Sequence, residues 1–220
     1  MTAGQVIVHF SRMEQGVRDC LAMDYRERVR SNLRELAMER GFSRVTVDEL
    51  AARCGISKRT IYRYFESKDE MIVTVMEEVM SEIGQGIDSA LNSSTNPVEK
   101  LGAAINALLK QMKRLNVPFL YDLEKNYPHL WERVEQFRAL KIQRAFGEIL
   151  SGDQGGLIKE IDPVIFTTAL LAGIRSVVNP KFIMDHNLSP EIAIQSLFEI
   201  FLYGIVDQQG RGECKFMQVR

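Results

Sequence analysis

Asp24 with Glu27, Thr46 with Glu49, Ser67 with Glu70 and Asn96 with Glu99 each place a capping side chain three positions ahead of a glutamate. At that spacing the first side chain accepts from a free N–H at a helix start, and the carboxylate can reach back to the cap. Pro97, Pro163 and Pro190 directly follow Asn96, Asp162 and Ser189. That is the first-turn position, where a missing N–H costs nothing. Strand signals are lacking: there is no sustained period-two alternation and no Asn-Gly or Asp-Gly turn between apolar runs. The chain reads as all-α.

A length of 220 residues, 45% of them hydrophobic and 26% charged, suits one large or two modest globular domains. The most apolar run, Val164 to Ile174, is short and holds Thr167 and Thr168. Crossing a bilayer takes roughly 18 continuous apolar residues, so no membrane partner is expected. Cys20, Cys54 and Cys214 are odd in number, far apart and without CxxC or Cys/His spacing. This favours a reducing, cytoplasmic location over a disulfide framework or structural zinc. His9, His129 and His186 show no metal-like spacing, and neither a metal nor a cofactor is expected. Without a nucleophile elbow, P-loop, HExxH or dinucleotide fingerprint, the chain does not read as an enzyme.

Periodicity places a first helix on Val29, Leu33, Leu36 and Ala37, closed near Gly41, and a short second helix on Val47, Leu50, Ala51 and Cys54, stopped at Gly55. Ser57 caps a third helix. A long helix follows Ser67 to about Asn92, bent at Gly84 and Gly86, and others are expected at about 97–115, 117–126, 128–150, 163–178 and 190–207. Ser151 to Gly156 reads as the most open loop. Residues 1–23 read as a poorly ordered N-terminal extension, with Met13 and Met23 as alternative starts. A head at 24–70, a body at 71–210 and a tail at 211–220 complete the division.

Charge separates these parts. Residues 24–68 hold 11 Lys/Arg against 7 Asp/Glu, whereas residues 69–220 hold 15 against 20, so a whole-chain net charge of -1 hides a basic head on an acidic body. Within the head, Ala51, Gly55 and Ile61 have helix-turn-helix spacing: a small residue where two helices touch, a glycine at the corner, and an apolar residue packing back beneath the first helix. With Ile61 and Phe65 buried one turn apart, Arg59 and Arg63 point outward and Thr60 and Tyr62 lie on the flanks. Arginine can bond guanine bidentately, and Thr and Tyr can meet thymine methyls or phosphates. Ser57, Lys58, Arg59, Thr60 and Tyr62 are therefore the candidate base readers, with Arg63 beside them and Thr46 and Lys68 placed for phosphate. The alternatives are an ordinary solvated face for Arg59, Arg63 and Lys68, packing for Tyr62 and Tyr64, and a place along the DNA backbone instead of in the groove for Lys58.

The run TVDELAARCGISKRTIYRYFESKDEM, with the helix before it, resembles the DNA-binding domain of TetR-family transcriptional regulators. Its Tyr62, Tyr64, Phe65, Ser67 and Lys68 carry the most distinctive part, and the likeness covers about residues 24–72. The resemblance implies a homodimer on a palindromic double-stranded DNA operator, paired through its last two long helices, with a small-molecule effector in each body that weakens operator binding. It also implies Lys58, Arg59, Thr60 and Tyr62 as base readers and Thr46, Tyr64 and Lys68 as phosphate contacts. The rival readings are an effector-independent or architectural DNA-binding protein and a helical enzyme with a basic face.

For the body, a pocket lined by Met76, Met80, Met112, Phe119, Tyr121, Trp131, Phe137 and Phe166 is expected, with plain core as the alternative. Arg175, within the most apolar helix, would bind an anionic ligand or pair with a carboxylate across a dimer. The small residues Ala169, Ala172 and Gly173, with Leu197, Phe198, Phe201 and Ile205, are the candidate dimer seam, against a monomer core.

Overall fold

The computed structural model describes residues 25–151 and 157–206. The extension at 1–23, the Asp24 cap, the loop after Ser151 and the tail at 211–220 lie outside the described residues. Ten helices account for nearly all the rest: α1 (25–40), α2 (Val47–Cys54), α3 (Lys58–Tyr64), α4 (Lys68–Leu91), α5 (Pro97–Met112), α6 (Val117–Asn126), α7 (Pro128–Ser151), α8 (Pro163–Val177), α9 (Pro180–Asp185) and α10 (Pro190–Ile205). No strand occurs among the described residues. A single antiparallel bridge joins Ile158 and Val206.

The caps explain the helix starts. Thr46 accepts from the Glu49 N–H at 3.2 Å, Ser67 from the Glu70 N–H at 3.1 Å, and Asn96 from the N–H groups of Val98 and Glu99 at 2.9 and 3.2 Å. Each of the three carboxylates also has another donor. Glu49 pairs with Arg40, Glu70 accepts from the Glu66 N–H, and Glu99 accepts from the Ser94 hydroxyl. One helix was not anticipated. Asn179 accepts from the Phe182 N–H at 2.8 Å, Pro180 opens the first turn, and Asn187 closes the segment at φ +52°.

The chain divides into two compact units, residues 1–75 and 76–220. In the first, the α1 stripe of Val29, Leu33, Leu36 and Ala37 is buried with Phe42, Leu50, Ile61, Phe65, Met71, Ile72 and Val75. The unit thus runs five residues beyond the expected 70, because the first two turns of α4 complete its core. Arg53 ties α2 to α1 through Asn32 at 3.1 Å and Glu35 at 2.7 Å, and the Arg26 guanidinium lies 4.5 Å above the Phe65 ring.

In the second unit α8 packs on α7 and α10, α10 on α5, and α6 on α7 and α9. Phe146 is the hub of an aromatic cluster, 5.0 Å from Phe166 and 6.4 Å from Phe198. This core corrects part of the expected seam: Leu197, Phe198 and Ile205 face inward and are buried, because α10 must cover both α8 and α5. Gly173 also belongs inside, where a Cβ would stand 3.2 Å from Leu197 Cδ1 and 3.5 Å from the half-buried Phe201. Ala169 and Ala172 are exposed on the outer side of α8. Val164 and Ile165 on α8, and Ile192, Ile200 and Tyr203 on α10, are exposed as well. Gly84 marks a close approach of α4 to α7, since a Cβ there would sit 3.1 Å from Lys141 Cε.

Candidate functional site

A left-handed corner sets up the outward face of α3. Gly55 takes φ +66°, a conformation that costs other L-residues strain. Its N–H bonds the Ala52 carbonyl and the next N–H, of Ile56, reaches back to Ala51, both at 3.1 Å. This pair of bonds closes α2 and turns the chain at once into α3. Ser57 then caps α3, accepting from the Thr60 N–H at 3.0 Å, and its hydroxyl lies 2.8 Å from that of Thr60.

With Ile61 and Phe65 buried, Arg59, Tyr62 and Arg63 are exposed. Arg59 and Arg63 form no ion pair with any described residue, leaving two free guanidinium groups on one seven-residue helix. Lys58 is exposed and pairs with Asp48 of α2 at 3.1 Å. Such a solvated pair is weak, so a phosphate can compete for the ammonium. Thr46 is an exposed cap. Tyr64 and Lys68 sit further inside: the Tyr64 ring stacks 5.7 Å from Tyr25, and the Lys68 ammonium donates to the Phe42 carbonyl at 2.7 Å. Both therefore brace the first unit.

The second unit contains a cavity of about 120 Å³ bounded by α4, α5, α6, α7, α8 and α10. Met76, Met80, Met112, Trp131 and Phe137 line it, together with Val79, Ile83, Leu120, Val134 and Ile174. Four of the residues expected there lie elsewhere. Phe119 is fully buried in the core, Phe166 is held by Phe146 and Phe201, and Tyr121 is exposed beside Lys125. Arg175 points away from the cavity and pairs with Glu135 of its own chain at 3.2 Å, so its carboxylate partner is internal.

Two cations line the cavity that sequence reasoning passed over, Arg138 and Lys141. Both stand on α7, and both carry carboxylates: Arg138 donates to Glu135 at 2.6 Å, and Lys141 to Asp88 at 2.7 Å. Burial pulls the pKa of Arg138 below its ordinary value, Glu135 opposes this, and the Arg175 charge adds to it. The signal was legible. Trp131, Val134, Arg138 and Lys141 follow helical spacing, so a cation falls on an apolar stripe.

The chain is similar to known regulators. The model of the family described as bacterial regulatory proteins, tetR family, matches residues 31–75. The HTH-type transcriptional regulator YvaF of Bacillus subtilis is 28% identical over 180 residues, 81% of this chain and 94% of the relative. Two solved structures share the fold. A TetR transcription regulator from Haloarcula marismortui has a TM-score of 0.67 at 17% identity, covering 84% of this chain and all of the other. The regulator FadR from Bacillus subtilis, solved in complex with stearoyl-CoA, has a TM-score of 0.61 at 20% identity, covering 81% and 98%.

Proposed function

We propose that this chain, which belongs to the TetR family of bacterial regulatory proteins, is a repressor released from its operator by a small molecule held in the cavity of the second unit. The observation that carries the DNA-binding half is the exposed, unpaired Arg59 and Arg63 on a helix turned outward by Gly55. Ser57, Arg59, Thr60 and Tyr62, on the N-terminal part of α3, would meet base edges in the major groove. Thr46, Lys58, Arg63, Tyr64 and Lys68 would meet phosphates.

Continuity of α4 supports coupling to the effector. Met71, Ile72 and Val75 are buried in the first unit, and Met76, Val79, Met80, Ile83 and Ile87 of the same helix line the cavity. An effector that changes the cavity wall would act on the helix that completes the DNA-binding core. It would shift operator affinity only as far as its own affinity differs between the two states. FadR, which shares the fold, was solved with stearoyl-CoA, which supports an effector with an apolar part.

The exposed outer side of α8 and α10 supports a homodimer. Small residues on α8 allow close approach, and Val164, Ile165, Ile200 and Tyr203 supply apolar area that water would otherwise cover. Two heads one helical turn of DNA apart, about 34 Å, would read a palindrome. The absence of any helix long and apolar enough to cross a membrane among the described residues accords with action on DNA in the cytoplasm.

Selection of bound fragments from genomic DNA with the full chain tests the reading. The expected result is enrichment of a sequence with two inverted half-sites about 10 base pairs apart, and lost enrichment with Arg59→Ala. Indiscriminate recovery of DNA would favour an architectural role instead.

A further inference from the structure

The cavity wall combines apolar side chains with two cations on one turn of α7. Arg138 and Lys141 are three positions apart, which puts their side chains on the same face roughly 5 to 6 Å apart at Cβ. The Arg138 guanidinium has five N–H donors, and its one bond to a described residue is to Glu135. Lys141 likewise holds Asp88 with one of its three. The remaining donors stand at a wall that is otherwise Met, Leu, Ile, Val, Phe and Trp. Burial already disfavours the Arg138 charge, so a second anion beside it would relieve that penalty.

Resting on the reading of this cavity as the effector site, we infer that the effector is a compact amphipathic anion: a carboxylate or phosphate ester held by Arg138 and Lys141, with an apolar body among the methionines and Trp131. The volume limits that body. About 120 Å³ is of the order that admits a single ring or a short alkyl chain. Met76, Met80 and Met112 give the wall some latitude for a longer chain. Glu135 then acts as the internal competitor, since one of its oxygens holds Arg138 and the other holds Arg175. A ligand anion on Arg138 leaves Glu135 to Arg175 on α8.

Trp131 is the single tryptophan of the chain, lies in the wall, and has the Arg138 guanidinium 6.0 Å from its ring. Its fluorescence therefore reports occupancy directly, without DNA. The full chain is titrated with octanoate, octyl phosphate and octan-1-ol, which share a chain and differ in the charged group. One anionic probe is expected to bind about tenfold tighter than the alcohol, as a charge-assisted hydrogen bond would give. Preference for octanoate assigns a carboxylate, and preference for octyl phosphate assigns a phosphate ester. Arg138→Met should abolish the advantage while leaving the alcohol within twofold, which also shows that the variant folds. Arg138→Lys should restore part of it. Glu135→Gln should tighten the anion and leave the alcohol unchanged. Equal binding of all three probes to the unaltered chain, or an advantage that survives Arg138→Met combined with Lys141→Met, overturns the inference and leaves the cavity as an effector site for neutral ligands. Absence of any Trp131 response to all three overturns both.

Discussion

At Gly55 the backbone is left-handed and the space where a Cβ would stand is open, with nothing within 4 Å. A substitution there costs backbone strain alone. Gly55→Ala is expected to lower stability by about 1 kcal/mol, read as a fall of a few degrees in melting temperature, with weaker operator binding because the α2–α3 corner opens. An unchanged melt would show that the corner tolerates another conformation. Glu124 offers a pH-dependent counterpart. Burial raises its pKa above the ordinary value, and the nearby Glu135 charge adds to the rise. With the folded pKa above the unfolded one, this carboxyl's stability contribution is complete below about pH 4. It is lost as pH climbs through the folded value. Glu124→Gln imitates the protonated form. It should therefore be more stable than the natural chain at pH 7, by a few tenths of a kcal/mol after solvent screening. Thermal melts at pH 7 and pH 4 should show that gap closing toward the acid end.

Among the helices, α9 teaches most about reading the chain. Asn179 followed by Pro180 is the same punctuation as Asn96 with Pro97 and Asp162 with Pro163, and all three cap a helix. It was passed over because six residues are too few to show a period, and the segment lay between two stronger patterns. Asn179→Ala should remove the bond to the Phe182 N–H at a cost of about 1 kcal/mol, measurable by denaturant unfolding. The α2–α3 pair was legible for the opposite reason, as a glycine corner and an apolar pair on α3 leave few alternatives. Pocket and seam were less so. Apolar residues on α8 and α10 look alike whether they meet their own core or a partner, and only packing sends Phe198 and Leu197 inward and Ile200 outward. Arg175 is a charge in an apolar helix, yet the cations that reach the cavity stand on α7, legible only through their helical spacing from Trp131 and Val134.

Over the whole molecule, the proposed dimer makes the outer surface of α8 and α10 the place where two copies would meet. Ile200 is 69% exposed and makes no demand on the core, so Ile200→Asp should leave the single chain folded. It should convert a dimer to a monomer in sedimentation and reduce operator binding far more than binding to random DNA, since a lone head loses the second half-site. Persistence of the dimer would move the seam to another surface. The charge division adds a second whole-molecule property: with the basic excess confined to residues 24–68, DNA affinity should fall with salt through the head alone.

That same outward stripe has a genetic implication. A mutant subunit stripped of Arg59 and Arg63 keeps the exposed Val164, Ile165 and Ile200, so in the proposed dimer it would still recruit intact sisters. Each mixed pair then carries a single working reader, and a cell expressing both alleles would lose more control than the loss of one gene copy explains. Defects in α3 should be inherited as dominant, and defects in the stripe itself as recessive.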